Sequence, residues 1–348
     1  MQLVINSELL NQALIKDLIK KVKEVVSHSS HSINFNNELR KQQKSQMEDQ
    51  EVPLVLIMDV TTRWNSKFYM LKRFLFLKKA LIPTIANCEG LDIEFNNNDW
   101  KNMEKVVKVL QPFEEATKLL SKSSASISQA IMIVTVIIKA LSKTEDDWGV
   151  RTTKRAMIKA LEQRFSSMEM ENHYSIATFL DPRYKSYFFR DPETAVRVKE
   201  ILSNKLEVEL EELEDFHGME DENPATVQNE SKTETIAQLM NEIMEENIHE
   251  KSMKFEVAQF LETYENSKTE ENAMEFWKIK ASSMKKVDRA AAKLAEIYLT
   301  PPPTSVDVER LFSTGGDIIT PERNRLSPET ASKVLFLKEN FPVVKFQY

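Results

Sequence analysis

The stretch Tyr298-Leu-Thr-Pro301-Pro302-Pro303-Thr-Ser305-Val-Asp-Val-Glu309-Arg310-Leu311-Phe312-Ser-Thr-Gly315-Gly316-Asp317 decides how the chain is read. Three consecutive prolines lack amide donors and bias the preceding residues away from helix, so the apolar pattern from Phe276 to Leu299 must end there. Beyond them the spacing predicts a helix over 305–314, a turn at Gly315-Gly316 and a second helix over 327–341. Ser327, Pro328 and Glu329 supply an N-cap, a proline at the first helical position and an acid in the first turn, which together mark a helix start. Leu311, Phe312, Ile318, Ile319, Val334, Leu335, Leu337 and Phe341 form two apolar faces across the turn, more than a small helical pair covers by itself. Two destinations stand open for them: the chain's other helices, or a second protein surface.

The helical period extends toward the N-terminus. Leu10, Leu14, Leu18, Val22 and Val26 recur every four residues and predict a helix over 8–26. The residues from Ser27 to Gln50 lose that stripe and read as a connection, with a short helix through Leu39. Core-facing helices are expected over 65–86 and 99–120, the latter kinked or broken near Leu110 by Pro112. A very apolar helix follows at 126–141, an amphipathic one at 152–168, and short amphipathic segments at 236–248 and 255–265. Pro53-Leu-Val-Leu-Ile-Met-Asp-Val60 departs from the pattern and reads as a strand or a buried extended segment. Five Gly in 348 residues disfavour folds rich in tight turns and Gly-rich phosphate loops. The predicted fold class is mostly α.

Between Glu207 and Glu222 nine acids crowd the chain, and a polar run continues to Thr235. Like charges at that density oppose compaction, so 207–235 is expected to be a disordered acidic linker. The domain organisation is then a helical region over 1–206, the linker, a helical segment over 236–300 and a terminal element over 301–345.

Composition narrows the chemistry. A net charge of -7 means that any contact with nucleic acid must be a local patch. Lys72, Lys78, Lys79 and the lysines from Lys101 to Lys108 are scattered, without the interleaved aromatics of a sequence reader. Cys88 stands alone, so this chain builds neither a disulfide nor a Cys-based zinc site, and a reducing compartment is expected. His28 and His31 lie at a ligand-like spacing but lack further His or Cys nearby, so no metal and no cofactor are expected. No signal peptide is read at the start and no apolar run approaches the roughly 20 residues of a membrane-spanning helix, so the expectation is a soluble chain with no membrane partner and no small-molecule substrate.

Three stretches, in order, resemble the hAT transposase superfamily and the BED-type zinc-finger proteins derived from it. Asp59-Val-Thr-Thr-Arg63-Trp64-Asn-Ser66, followed by Met70-Leu71 and Arg73, is similar to the family's Thr-Arg-Trp-Asn-Ser segment. Ile176-Ala-Thr-Phe-Leu-Asp181-Pro-Arg183-Tyr-Lys185 is similar to its Leu-Asp-Pro-Arg segment. The most specific match is the opening stretch together with Arg323-Asn-Arg325-Leu-Ser327 and Leu335-Phe-Leu-Lys-Glu-Asn340, which looks like the family's carboxy-terminal dimerisation region.

The resemblance implies the helical insertion of a ribonuclease-H-like transposase plus its carboxy-terminal helices, with the catalytic strands largely missing. It implies a catalytic centre of two Asp and one Glu holding two divalent cations, an arrangement that needs all three carboxylates. Glu309 matches the third acid, while both Asp, with the Cys-x-x-His segment and the BED zinc finger, are expected upstream of Met1. The chain is therefore expected not to be an enzyme. Asp59 and Asp181 are assigned local capping and turn roles, and Glu309 an ion pair with Arg310. Arg63 and Trp64 are the nucleic-acid candidates, Trp64 through stacking on an exposed base, with core packing as the competing reading. The leading functional expectation is a nuclear, transposase-derived dimerisation module forming homodimers or hetero-oligomers. The alternative is a residual DNA-binding module.

Overall fold

The computed structural model describes residues 1–45, 52–60, 62–143, 150–218, 236–268, 272–319 and 325–341. They are helices joined by irregular segments, with no strand among the described residues. The chain divides into two compact units: Met1–Lys118 with Ile133–Ser167, and Leu119–Met132 with Met168–Tyr348.

The first unit starts with a short helix α1 (Gln2–Val4) and a π-helical turn (Ile5–Leu10), in which Asn11 N–H reaches back to the Asn6 carbonyl at 3.0 Å. The helices α2 (Ala13–His31), α3 (Ile33–Lys44), α4 (Trp64–Phe76), α5 (Lys78–Ala86), α6 (Asn97–Leu120), α7 (Gln129–Ser142) and α8 (Arg151–Phe165) follow in order. Their four-residue apolar stripes meet: Leu18, Val22 and Val25 of α2, Phe68, Leu71 and Phe74 of α4, and Met103, Val106 and Leu110 of α6 are all buried. Full burial of each such side chain is worth roughly 1.5–3 kcal/mol. Phe74 stacks on Trp100 with ring centroids 5.6 Å apart, and Phe95 packs against both. Ser32 caps α3 by accepting the Phe35 N–H.

The second unit is built on α9 (Asn172–Leu180), α10 (Pro192–Gly218), α11 (Ile236–Asn266), α12 (Ala273–Ala281) and α13 (Lys286–Leu299). One core gathers Phe179 and Leu180, Val198, Leu202 and Leu206, Val257 and Leu261, Trp277, and the alanine-rich face of α13. Small side chains at Ala290, Ala291 and Ala295 let neighbouring helices approach α13 closely. The terminal helices are α14 (Val306–Ile318) and α15 (Pro328–Asn340).

Several expectations are corrected. Pro112 sits inside α6 without breaking it, since burial of Val109, Leu110, Phe113 and Ala116 around it outweighs one missing amide donor. The 65–86 helix divides at Leu77 into α4 and α5, and the Phe276–Leu299 pattern divides into α12 and α13. Conversely, the two short segments between 236 and 265 are one continuous α11. Gly315 and Gly316 lie within α14, which runs to Ile318, rather than in a turn. Pro53–Val60 forms no strand and is only partly buried: the Gln43 side chain bonds both the N–H and the carbonyl of Leu54, and Ser66 Oγ does the same for Val60, substituting for ladder hydrogen bonds. The acidic stretch is helical as far as Gly218, where Lys293 draws Glu209 and Glu212 together on one side of α10. The rest of the expected linker, 219–235, lies outside the described residues.

The expected Ser327 cap is present, its Oγ accepting the Thr330 N–H at 3.2 Å. Ser327→Ala is expected to cost about 1 kcal/mol of α15 stability. Hydrogen exchange read at the first turn of α15 would rise, with the amides of α9 and α13 unchanged.

Candidate self-association surface and the buried aspartate turn

The chain leaving α13 is anchored before α14 begins: Ile127 N–H donates to the Pro301 carbonyl at 3.0 Å, and Thr304 Oγ1 to the Leu120 carbonyl at 3.4 Å. Early in α14, Arg310 donates to the Ser121 carbonyl. These polar fastenings hold α14 in place without covering its apolar stripe. Val308, Leu311, Phe312 and Ile319 recur at i, i+3, i+4 and i+11, all exposed, with Phe312 75% accessible. Gly315 falls on the same stripe, and a Cβ built there meets nothing within 4 Å, so the helix backbone itself is open to an approaching surface.

α14 and α15 pack on each other; Ile318 and Ala331 are buried, with Leu335 and Phe341 half-buried. Val334 and Leu337 remain exposed, as does Phe336, which sequence reasoning left out. Of the eight residues assigned to self-association, Leu311, Phe312, Ile319, Val334 and Leu337 thus face outward, while Ile318 is buried. A shallow concavity of about 460 Å³ lies along α15 at Ser332, Lys333, Phe336 and Leu337.

The acids take other roles. Glu309 lies on exposed α14 and accepts from the Ser305 hydroxyl at 3.1 Å, not from Arg310 as expected, because adjacent helical positions point apart. Asp59 is held by Lys23 at 2.9 Å and Lys67 at 3.8 Å. Asp181 has a side chain that is 0% accessible. Arg183 grips it with Nε on Oδ1 at 2.8 Å and a terminal nitrogen on Oδ2 at 2.7 Å, Arg183 N–H adds a third bond, and the Ser128 hydroxyl donates to Oδ2 at 2.8 Å. The side-chain bond to Asp181 also raises the Arg183 pKa.

The residues around this carboxylate explain the rest of its segment. Lys185 adopts a positive φ of 48°, which turns the chain back after α9, and its buried ammonium bonds the Ser267 carbonyl and hydroxyl. Burial pushes the Lys185 pKa down, with Glu265 opposing that shift. Tyr264 donates to the Phe179 carbonyl at 3.2 Å and Trp277 Nε1 to the Leu180 carbonyl at 2.7 Å, satisfying the C-terminal carbonyls of α9.

Trp64 is only 5% accessible at the first turn of α4, so core packing occupies the ring and leaves no face for a base. Arg63, beside it, is exposed. His28 Nε2 lies 3.3 Å from Cys88 Sγ, a pairing across 60 positions that no local pattern could signal. Among the described residues, no three His, Cys, Asp or Glu side chains gather as a metal site.

Residues 1–109 match a family model described as the ZBED1 RNase-like helical domain, and residues 241–341 match the hAT family C-terminal dimerisation region. The human zinc finger BED domain-containing protein 4 is 26% identical over 99% of this chain and 29% of its own length. The human zinc finger BED domain-containing protein 6 is 27% identical over 49% of this chain and 18% of its own length. A Zea mays relative named as an AC transposase is 25% identical over 81% of this chain and 36% of its own length. The chain therefore spans under two fifths of each of these relatives. The resemblance read from the three motifs is borne out, and so is a mostly α fold.

Removing the Asp181 carboxylate strands a half-buried guanidinium and the buried Ser128 hydroxyl. Asp181→Ala is expected to lower stability by about 3–5 kcal/mol, the usual cost of breaking a buried pair from one side. Urea unfolding followed by circular dichroism checks this, and a loss under about 1 kcal/mol would contradict the structural role assigned to the turn.

Proposed function

We propose that α14 and α15 pair this chain with a second copy or a related chain, and that the protein acts in the nucleus as a transposase-derived dimerisation module with no strand-transfer chemistry of its own. The observation that carries this reading is the outward stripe of Val308, Leu311, Phe312, Gly315 and Ile319, which lies within the segment matching a dimerisation region. An exposed row of this kind at helical spacing is the form an isologous interface takes, in which the same patch serves both partners.

The acids this chain carries support the reading without strand-transfer chemistry. Glu309 is a single surface carboxylate, and one carboxylate holds a divalent cation weakly. The carboxylates of Asp59 and Asp181 are already neutralised by Lys23, Lys67 and Arg183. The nuclear assignment follows from the BED zinc-finger and transposase relatives rather than from a targeting signal in this sequence.

Light scattering of the whole chain is expected to give a dimer mass, and Phe312→Asp with Leu337→Asp a monomer of unchanged helicity. Phe312→Ala alone should cost about 2 kcal/mol, which is roughly a 30-fold weaker dissociation constant. A wild-type monomer at micromolar concentration would overturn the dimerisation reading. Magnesium- or manganese-dependent nicking of duplex DNA that disappears in Glu309→Gln would overturn the catalytic part.

A further inference from the structure

The acidic total of the chain conceals two units of opposite sign. The first unit carries 24 Lys and Arg against 19 Asp and Glu, the second 23 against 35. Within the first unit, α8 concentrates the excess: its fifteen residues hold Arg151, Lys154, Arg155, Lys159 and Arg164 against Glu162 alone. This helix lies outside both segments matched by family models.

The helical period sorts those charges. Thr153, Met157 and Leu161 form the buried face, and Gln12 Nε2 fastens it by bonding Thr153 Oγ1 at 2.7 Å. Lys154 is engaged with the Lys143 carbonyl at 3.2 Å. Arg151, Arg155 and Lys159 occupy i, i+4 and i+8 on the outward face, all exposed, with no ion-pair partner among the described residues. Glu162 closes the stripe one turn further on.

We propose that the Arg151–Arg155–Lys159 stripe of α8 is a sequence-independent contact for the phosphodiester backbone of nucleic acid. The spacing fits the ligand: the stripe is about 12 Å long at 1.5 Å rise per residue, and along that length of duplex axis one DNA strand presents three to four phosphates, one per about 3.4 Å of rise. Two of the three cations are guanidiniums, which fork onto phosphate oxygens, and the positive unit behind them supports long-range attraction. No aromatic stands on the stripe to read or stack a base, so the contact positions nucleic acid without specifying sequence.

The test is fluorescence anisotropy of a labelled mixed-sequence duplex titrated with the whole chain across a salt series. The variant combining Arg151→Gln, Arg155→Gln and Lys159→Gln should bind more weakly, with a log–log salt slope shallower by about 2.7, at about 0.9 for each phosphate no longer neutralised. Circular dichroism should match the wild type because all three side chains are exposed, and Arg155→Lys should keep most of the binding. An unchanged slope in the triple variant would overturn the proposal. So would an equal weakening per charge in Lys101→Gln with Lys108→Gln, which would mean diffuse attraction. Polyglutamate displacing the duplex as effectively as unlabelled DNA would reassign the stripe to an acidic protein partner.

Discussion

A carboxylate that has lost all its water must be surrounded by donors or give up its charge, and the second unit is organised around meeting that demand at Asp181. Arg183 and Ser128 converge on it from two parts of the chain. The turn this creates carries Lys185 toward Ser267, while the buried C-terminal carbonyls of α9 receive Tyr264 and Trp277. α9, α11 and α12 are thus tied to one short segment by polar bonds, and the apolar core closes around them. Hydrophobic burial supplies most of the free energy, but it is not directional. The Asp181 turn supplies the direction.

The terminal helices follow the opposite logic. α14 is held to its unit by a backbone hydrogen bond at Pro301 and by the side chains of Thr304 and Arg310 on backbone carbonyls, so it needs little apolar contact to stay in place. Its hydrophobic side chains are consequently left outward, where a core helix would have turned them in. Gly315 and Gly316 lower the helix propensity of α14 by roughly 1 kcal/mol each relative to alanine, a cost compatible with a surface on which close backbone approach matters.

Charge is divided in a comparable way. The acids cluster on α10 and beyond while α8 collects cations, so the net value of -7 describes neither unit. Trp64 and Arg63 illustrate why residue type alone misplaces such surfaces. A tryptophan beside an arginine invites a stacking role, yet the ring begins a helix whose next buried positions are Phe68 and Met70, and the core claims it.

Helical class, the stop at Pro301–Pro303, the Ser327 start and the family likeness were legible in the sequence because each rests on local geometry: a missing amide donor, a capping hydroxyl, a four-residue period. Continuity was not legible, because a proline in α6 and two glycines in α14 carry local penalties of a few kcal/mol at most, which packing can override. Nor was the strand-like Pro53–Val60, whose propensity has no neighbour to pair with among the described residues. Which apolar faces stay uncovered, which cations stand outward and which aspartate is fully enclosed depend on residues far apart in the chain meeting in space. Only the tertiary structure decided those, since burial and charge pairing are properties of neighbours and not of order.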